Sequence, residues 1–207
     1  MGSGMLRVPT AAWVLAVWVV ACSAGCHSPL ARSVPEEQLR LDADIELIAG
    51  LRVPEVRGPD GCGAQALATV LAHVDPGLDA AIVADELPWH DLGATPVDLL
   101  LIARGRGCVA KIAHGSIELL AQNVEAGRPI LVMIDAAYEI RTLTSRLAFP
   151  RVMHWAVVSG VAGDGSRVLL AAPHARHHVI GRDEFLRRWS RSANCMITLS
   201  RDSDASP

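Results

Sequence analysis

The spacing of apolar residues changes from helical to strand-like near the middle of the chain, and no other feature constrains the fold as much. In the first half, apolar side chains recur at helical intervals in four segments, at residues 62–73, 78–87, 96–104 and 117–125. In the second half they form short β-branched and aliphatic runs, which are typical of strands, at residues 130–134, 154–158, 167–171 and 195–199. Helices followed by strands predict an α+β domain with an antiparallel sheet.

Three shorter segments complete the predicted order of elements. The Gly- and Asp-rich residues 161–166 predict a hairpin between two strands, with Asp164 as a turn former rather than a catalytic acid. A further strand is predicted at residues 108–112 and a short helix at residues 182–189. The sheet-forming half therefore includes one more helix.

Composition and charge are those of a globular protein. Of the 207 residues, 51% are hydrophobic and 20% are charged, and the formal net charge is -3. This length suits one domain with an N-terminal extension. Because the chain is mildly acidic, it offers no basic field for a polyanion, and nucleic-acid binding is disfavoured.

The N-terminus has the pattern of an export signal. Residues 1–22 carry a single charged side chain, Arg7, and an apolar run from residue 11 to 21, which is shorter than the ~20 residues of a membrane span. The sequence VVAC at residues 19–22 resembles a bacterial lipobox, whose cysteine receives a lipid and becomes the mature N-terminus. We therefore expect lipidation of Cys22, with Cys26 as a second candidate. An ordinary cleaved signal and an uncleaved anchor are the alternatives.

This interpretation divides the chain into four parts. We expect a signal peptide at residues 1–22, a small and polar tether at 23–35, a folded domain at 36–200 and a disordered tail at 201–207. In each alternative the domain is exported. A lipid on Cys22 would hold it to a membrane of the cell envelope, on the periplasmic or outer side.

Three cysteines remain after the N-terminal region: Cys62, Cys108 and Cys195. An odd number at wide spacing in an exported chain argues against a disulfide framework. Cys62 lies at the predicted start of a helix, where unpaired N–H groups and the helix dipole favour a thiolate. A nucleophilic cysteine needs a histidine as proton acceptor, and His154, at the head of a strand, is the best placed of the eight histidines. The structural alternatives are a small residue that begins a helix and a strand-end histidine.

We expect no metal and no cofactor. His174, His177 and His178 are close in sequence, but no cysteine or carboxylate lies at ligand spacing from them. We interpret this segment as a solvated, His-rich turn.

Two segments resemble a known family. DGCGAQALATVLAH, at residues 60–73, is similar to the Cys-Gly helix of papain-like bacterial peptidases related to the double-glycine leader peptidases that process bacteriocin precursors. MHWAVVSGVAGDGSRVLLAAP, at residues 153–173, is similar to their His strand, hairpin and following strand. The resemblance covers roughly residues 50–200. It implies a papain-like fold with Cys62 as nucleophile and His154 as general base, acting on a peptide carbonyl through a thioester.

Two helper positions of that family are not matched. A Gln about six residues before the Cys usually helps to hold the oxyanion, but this neighbourhood contains Arg57 and no Gln. Arg57 and Gln65 are the candidate auxiliary donors. An Asp or Asn usually ends the strand after the His strand and fixes the tautomer of the imidazole, but Ala172 occupies that place, before Pro173.

Three functions are compatible with these residues. The first is an exported, lipid-anchored cysteine peptidase that hydrolyses peptide bonds of a peptide or protein substrate through Cys62 and His154. The second is a catalytically impaired relative whose cleft binds a peptide or an envelope partner without cutting it. The third is an envelope lipoprotein in which Cys62 is structural. The Cys–His pair favours the first function and the missing helpers favour the second; the sequence identifies no transport or secretion partner.

Overall fold

The structure is a computed structural model that describes residues 32–54, 61–87, 93–135 and 153–201. These residues form one antiparallel sheet with helices packed against it, as the hydrophobic pattern predicts. The helices are α1 (Glu36–Leu39), α2 (Gly61–Val74), α3 (Ala80–Glu86), α4 (Pro96–Gly105), α5 (Ile117–Glu125) and α6 (Arg182–Trp189). The strands are β1 (Arg32–Pro35), β2 (Ile45–Leu47), β3 (Cys108–His114), β4 (Ile130–Asp135), β5 (Met153–Ala162), β6 (Arg167–Ala172), β7 (Arg176–Gly181) and β8 (Cys195–Arg201).

Strand β5 is the centre of the sheet. The strand order is β1-β7-β6-β5-β4-β8-β3, and every pair is antiparallel. The long β5 pairs with β4 along its first half and with the short β2 along its last three residues. The first residues of β5 are therefore held from the β4 side, which fixes the position of His154.

Side-chain caps fix the starts of two helices. The hydroxyl of Thr95 accepts a hydrogen bond from the backbone N–H of Asp98 at 3.3 Å, and the Asp98 carboxylate accepts one from the backbone N–H of Thr95 at 2.8 Å. The hydroxyl of Ser116 accepts from the backbone N–H of Leu119 at 3.3 Å in the same way. These caps define the N-termini of α4 and α5.

The main hydrophobic core lies between the helices and the sheet. Helix α2 buries Leu67, Val70 and Leu71 completely or almost completely, and the facing strands bury Ile130 and Val158. Helix α6 adds Phe185 and Trp189, whose ring centroids are 5.1 Å apart. Trp155 and Trp189 are both buried and belong to this core.

The folded region begins earlier than the sequence indicates. Residues 32–35, which we assigned to the tether, form β1 and pair with β7 at the edge of the sheet. Val34 packs with Leu39 and Leu169 in a second, smaller hydrophobic cluster. Val34 is the only apolar residue of this strand that is buried, and its partners are distant in sequence. The sequence of residues 32–35 therefore shows no alternation from which a strand could be predicted.

The ladder between β3 and β8 separates two cysteines. Cys108 lies opposite Arg201, whereas Cys195 lies opposite His114, at the other end of the same ladder. At the rise of a strand, six residues correspond to about 20 Å. That separation is far beyond the reach of a disulfide, and neither cysteine forms one.

The predicted signal peptide, Cys22 and Cys26 lie outside the described residues, as do Arg57 and the last six residues of the chain. Within the described ranges, no helix combines the length and the apolar character that crossing a membrane requires.

Candidate active site

Cys62 is the second residue of α2 and is half-buried. One face of this helix, formed by Cys62, Gln65, Ala66 and Thr69, lines a small pocket. These residues are three, four and seven positions apart, which is the spacing of one helical face. The predicted helix therefore presents Cys62 to a pocket from its first turn.

A glycine allows the start of α2 to approach the sheet closely. A Cβ atom on Gly63 would lie 2.8 Å from the Cβ of Ala94 and 3.3 Å from Cδ1 of Trp155. The indole N–H of Trp155 donates a hydrogen bond to the carbonyl of Ala94 at 2.8 Å. The residue after Cys62 must therefore be small, because the helix, β5 and the segment before α4 meet at this point.

His154 reaches the same pocket from the sheet. It is the second residue of β5 and lies opposite Ile134 of β4. The pocket has a volume of about 70 Å³ and is lined by both Cys62 and His154. Cys62 and His154, the two candidate catalytic residues, are 92 positions apart in the sequence and line the same pocket in the structure.

Burial controls the charge of His154. Loss of solvent lowers the pKa of its imidazole from the ordinary 6.5 to about 4, and the neighbouring His178 acts in the same direction. The ring is therefore neutral at pH 7. A neutral imidazole has a free lone pair on one nitrogen, so it can accept a proton from a thiol.

Gln65 lies one helical turn after Cys62 and lines the pocket, as expected from the sequence. Its side-chain N–H donates a hydrogen bond to the carbonyl of Pro54 at 3.0 Å. An amide nitrogen carries two donor hydrogens, and this contact uses one of them. The same bond connects the entry segment of the domain to α2. The other candidate donor, Arg57, lies outside the described residues.

Ala172 occupies the last position of β6, where the family resemblance leads one to expect an acid. Its side chain is buried, and it lies opposite Arg176 of β7. A methyl group cannot accept a hydrogen bond, so Ala172 cannot orient an imidazole.

The predicted solvated turn is correct for His174, which lies in an exposed turn, but it was wrong for His177 and His178. His177 and His178 belong to strand β7, whereas His174 lies before the strand and is exposed. His177 is buried, and His178 lines the pocket beside His154. The sequence RHHVIG could have been recognised as a strand from its Val and Ile, but the Arg and the two His residues give the segment little apolar character. Across the described parts of the chain, no group of three metal-ligating side chains has a geometry that would hold a metal ion.

His177 belongs to a separate buried polar cluster. Its Nδ1 lies 2.7 Å from the Oγ of Ser159, and its Nε2 lies 3.7 Å from a carboxylate oxygen of Glu36. The order serine, histidine, acid is that of a hydrolase triad, but Ser159 has no exposed surface. A substrate cannot reach it, so this cluster connects α1 to the sheet rather than forming an active site.

The other two cysteines differ from Cys62 in their surroundings. Burial raises the pKa of the Cys108 and Cys195 thiols, and neither residue lines the pocket. Both are therefore expected to react slowly with electrophiles at neutral pH.

The arrangement of helices and antiparallel strands is that of papain-like peptidase domains. The peptidase domain of Streptococcus ComA, a bifunctional ABC transporter of a quorum-sensing pathway, is similar, with 18% identity, a TM-score of 0.53, and coverage of 72% of this chain and 97% of that chain. A putative C39-like peptidase from Bacillus anthracis matches with 18% identity, a TM-score of 0.56, and coverage of 75% and 97%. A double-glycine motif protease from an AMS/PCAT transporter, solved with the leader peptide, matches with 18% identity, a TM-score of 0.51, and coverage of 75% and 97%.

These likenesses confirm the predicted papain-like α+β fold and extend over nearly the whole of each neighbouring domain. At this level of identity they establish the fold and not the activity of this chain. No protein-family model matches the sequence, and no curated protein matches it.

Proposed function

We propose that this protein is an exported, lipid-anchored cysteine peptidase that hydrolyses peptide bonds through Cys62 and His154. The observation that carries the proposal is that both side chains line one small pocket between α2 and β5. A thiol at a helix N-terminus and a neutral imidazole in the same pocket are the two groups that nucleophilic attack on a peptide carbonyl requires.

The proposed reaction begins with transfer of the Cys62 thiol proton to His154. The sulfur then attacks the substrate carbonyl, and the resulting oxyanion accepts hydrogen bonds from N–H groups of the first turn of α2 and from the second amide hydrogen of Gln65. His154 returns its proton to the leaving amine, which gives a thioester. Water, deprotonated by His154, hydrolyses the thioester. No cofactor takes part in these steps.

We assign a peptide as the substrate class. One structural neighbour is described as a double-glycine motif protease in complex with the leader peptide. The pocket around the Cys–His pair is small, about 70 Å³, and several of its walls are apolar. Such a site suits one short side chain of an extended peptide better than a large rigid ligand.

A catalytically impaired peptide-binding protein is the second candidate. The observation that favours it is the apolar Ala172 at the position of the expected acid. Loss of the residue that orients the histidine costs up to ~10⁴-fold in turnover, and loss of one oxyanion donor costs ~10²–10³-fold. In this case the pocket would keep its shape and bind a peptide without cutting it.

Thiol alkylation tests the activated pair directly. The full-length protein is treated with iodoacetamide at pH 6, and the rate at each cysteine is read by peptide mass spectrometry. We expect Cys62 to react at least ~10-fold faster than Cys108 and Cys195, because a nearby base favours its thiolate. His154→Ala should remove this advantage, whereas His174→Asn, a change at an exposed histidine, should preserve it. Equal, slow labelling of all three cysteines would instead support a purely structural Cys62.

Peptide cleavage separates the enzyme from the binding protein. A library of peptides is incubated with the wild-type protein and with Cys62→Ser, and both binding and product formation are measured. An enzyme gives products that disappear in Cys62→Ser while binding is retained. Binding without products from either protein identifies the impaired relative.

The lipid anchor is tested in whole cells by membrane fractionation of the full-length protein. We expect the wild-type protein in the membrane fraction and Cys22→Ser outside it. Cys26→Ser is the matched control, because it changes the second candidate four residues away. If only Cys26→Ser releases the protein, the lipid is on Cys26; release by neither substitution argues against the lipoprotein.

A further inference from the structure

The register of the sheet places a second histidine, His178, on the same face of the sheet as His154. Val158 of β5 lies opposite Leu170 of β6, and Leu170 lies opposite His178 of β7. Directly paired residues of antiparallel strands share a face, as do residues an even number of positions apart on one strand. His154 and His178 therefore share a face of the sheet, and both line the pocket.

The position of the missing acid lies on this same face. Ala172 is two residues after Leu170 on β6, so it shares the face of His178. Among the described residues that line the pocket there is no carboxylate. A group that orients His154 would therefore be a backbone carbonyl, a water or another side chain of the pocket wall.

The other polar side chains of the wall each donate one hydrogen bond to the backbone. The hydroxyl of Thr69 donates to a carbonyl of its own helix at 2.7 Å, and the side-chain N–H groups of Gln65 and Trp155 donate to loop carbonyls. Besides the Cys–His pair, these three residues and His178 are the polar side chains lining the pocket. A neutral imidazole carries one nitrogen with a lone pair, so His178 has the chemistry to accept a hydrogen bond from another ring.

We propose that His178 takes the place of the missing acid and positions His154, by accepting a hydrogen bond from its ring N–H directly or through one ordered water. This role rests on the proposed function. A base that faces Cys62 with one nitrogen must hold its proton on the other, and an acceptor behind the ring selects that tautomer. His178 supplies the acceptor without adding a negative charge to the pocket.

Electrostatics agrees with this arrangement. His178 is close enough to contribute to the lowered pKa of His154. A carboxylate in the same place would have the opposite effect, because a negative charge favours the imidazolium. His154 is therefore neutral near pH 7, and one of its two ring nitrogens carries the proton that it would donate to His178.

The tautomer of His154 is the readout that a purely structural role would not change. The full-length protein, labelled with ¹⁵N in its histidines, is studied by two-bond ¹H–¹⁵N correlation spectra near neutral pH. We expect one dominant His154 tautomer in the wild-type protein and a mixture in His178→Leu, which keeps the volume of the ring but has no acceptor. His178→Gln, which keeps an acceptor oxygen, should restore one tautomer.

Alkylation of Cys62 gives the matching kinetic result. His178→Leu should lower the rate by between ~10-fold and ~10⁴-fold, the upper value being the loss for a wrong tautomer in a serine triad. Adding Ala172→Asp to His178→Leu should recover part of the rate, since it puts an acceptor at the usual place. His174→Asn is the control for loss of a nearby histidine, and we expect its rate to equal that of the wild-type protein.

Three results would overturn the assignment of His178. They are an unchanged tautomer and rate in His178→Leu, a failure of His178→Gln to recover either quantity, and a tautomer change caused by Gln65→Leu instead. If His154→Ala still abolishes the reactivity of Cys62 in those cases, the proposed peptidase pair survives and only the positioning role is lost. If His154→Ala has no effect, the proposed function itself is wrong.

Discussion

Acidification should destabilise this protein through His154 more than through any exposed histidine. The pKa of this ring falls from 6.5 to about 4 on folding, chiefly because the pocket removes it from water. The unfolded chain therefore binds a proton more tightly than the folded protein does between pH 6.5 and 4. Stability from this group is fully present above pH 6.5 and is lost as the pH falls through that window.

The size of the effect follows from the shift. A pKa difference of about 2.5 units corresponds to about 3 kcal/mol, since one unit is 1.36 kcal/mol. Linkage gives a loss of about 2 kcal/mol by pH 5 and about 3 kcal/mol by pH 4, relative to pH 7.5. For a domain whose total stability is of the order of 5–15 kcal/mol, this is a substantial fraction.

Urea denaturation of wild-type protein and His154→Gln at pH 7.5 and pH 5 measures this term. The variant lacks the titrating ring but keeps the other ionisable groups, including the buried His177, so their contributions cancel in the comparison. We expect the free energy of unfolding of the wild-type protein to fall by about 2 kcal/mol more than that of the variant. Parallel losses in the two proteins would show that His154 is well solvated, and the argument that desolvation keeps this base neutral would then fail.

Two further substitutions test the packing around the site. Gly63→Ala should destabilise the protein by about 1–2 kcal/mol. The new Cβ would lie 2.8 Å from the Cβ of Ala94, and the cost of this overpacking exceeds the ~1 kcal/mol gain in helix propensity. Thermal unfolding measures the effect, with Gly61→Ala as the control, because a Cβ on Gly61 meets no atom within 4 Å. An equal or higher melting temperature for Gly63→Ala would contradict this close approach. Ser159→Ala should lower the free energy of unfolding by about 1–3 kcal/mol, because it removes the partner of the buried His177, and an unchanged urea midpoint would show that this bond contributes nothing.

Local patterns were sufficient to predict the elements that carry the Cys–His pair. Helix α2 has an apolar face at helical spacing, and β5 is a continuous apolar run, so both could be recognised without knowledge of their partners. Their meeting in one pocket was predicted only through the family resemblance. Periodicity alone gives no information about which strand lies beside which helix.

The segments that sequence reasoning missed depend on distant partners. Strand β7 has two histidines where a strand usually has β-branched or aromatic residues, and its stability comes from pairing with β1 and β6. Strand β1 is four residues long and is likewise stabilised by pairing with β7. His178 was therefore placed in a solvated turn, although it lies in the pocket wall.

The absence of an acid at Ala172 leaves the lowering of the His154 pKa unopposed. A carboxylate at that position would favour the imidazolium and raise the pKa of His154 toward or above its ordinary value. Without it, desolvation is unopposed and the ring stays neutral at pH 7. In a peptidase with this pocket the base would be unprotonated at pH 7, but it would be a weaker base, because the pocket stabilises the imidazolium formed during attack less well. The same change would therefore lower the rate of such a peptidase, and the acceptor proposed at His178 would offset part of that loss.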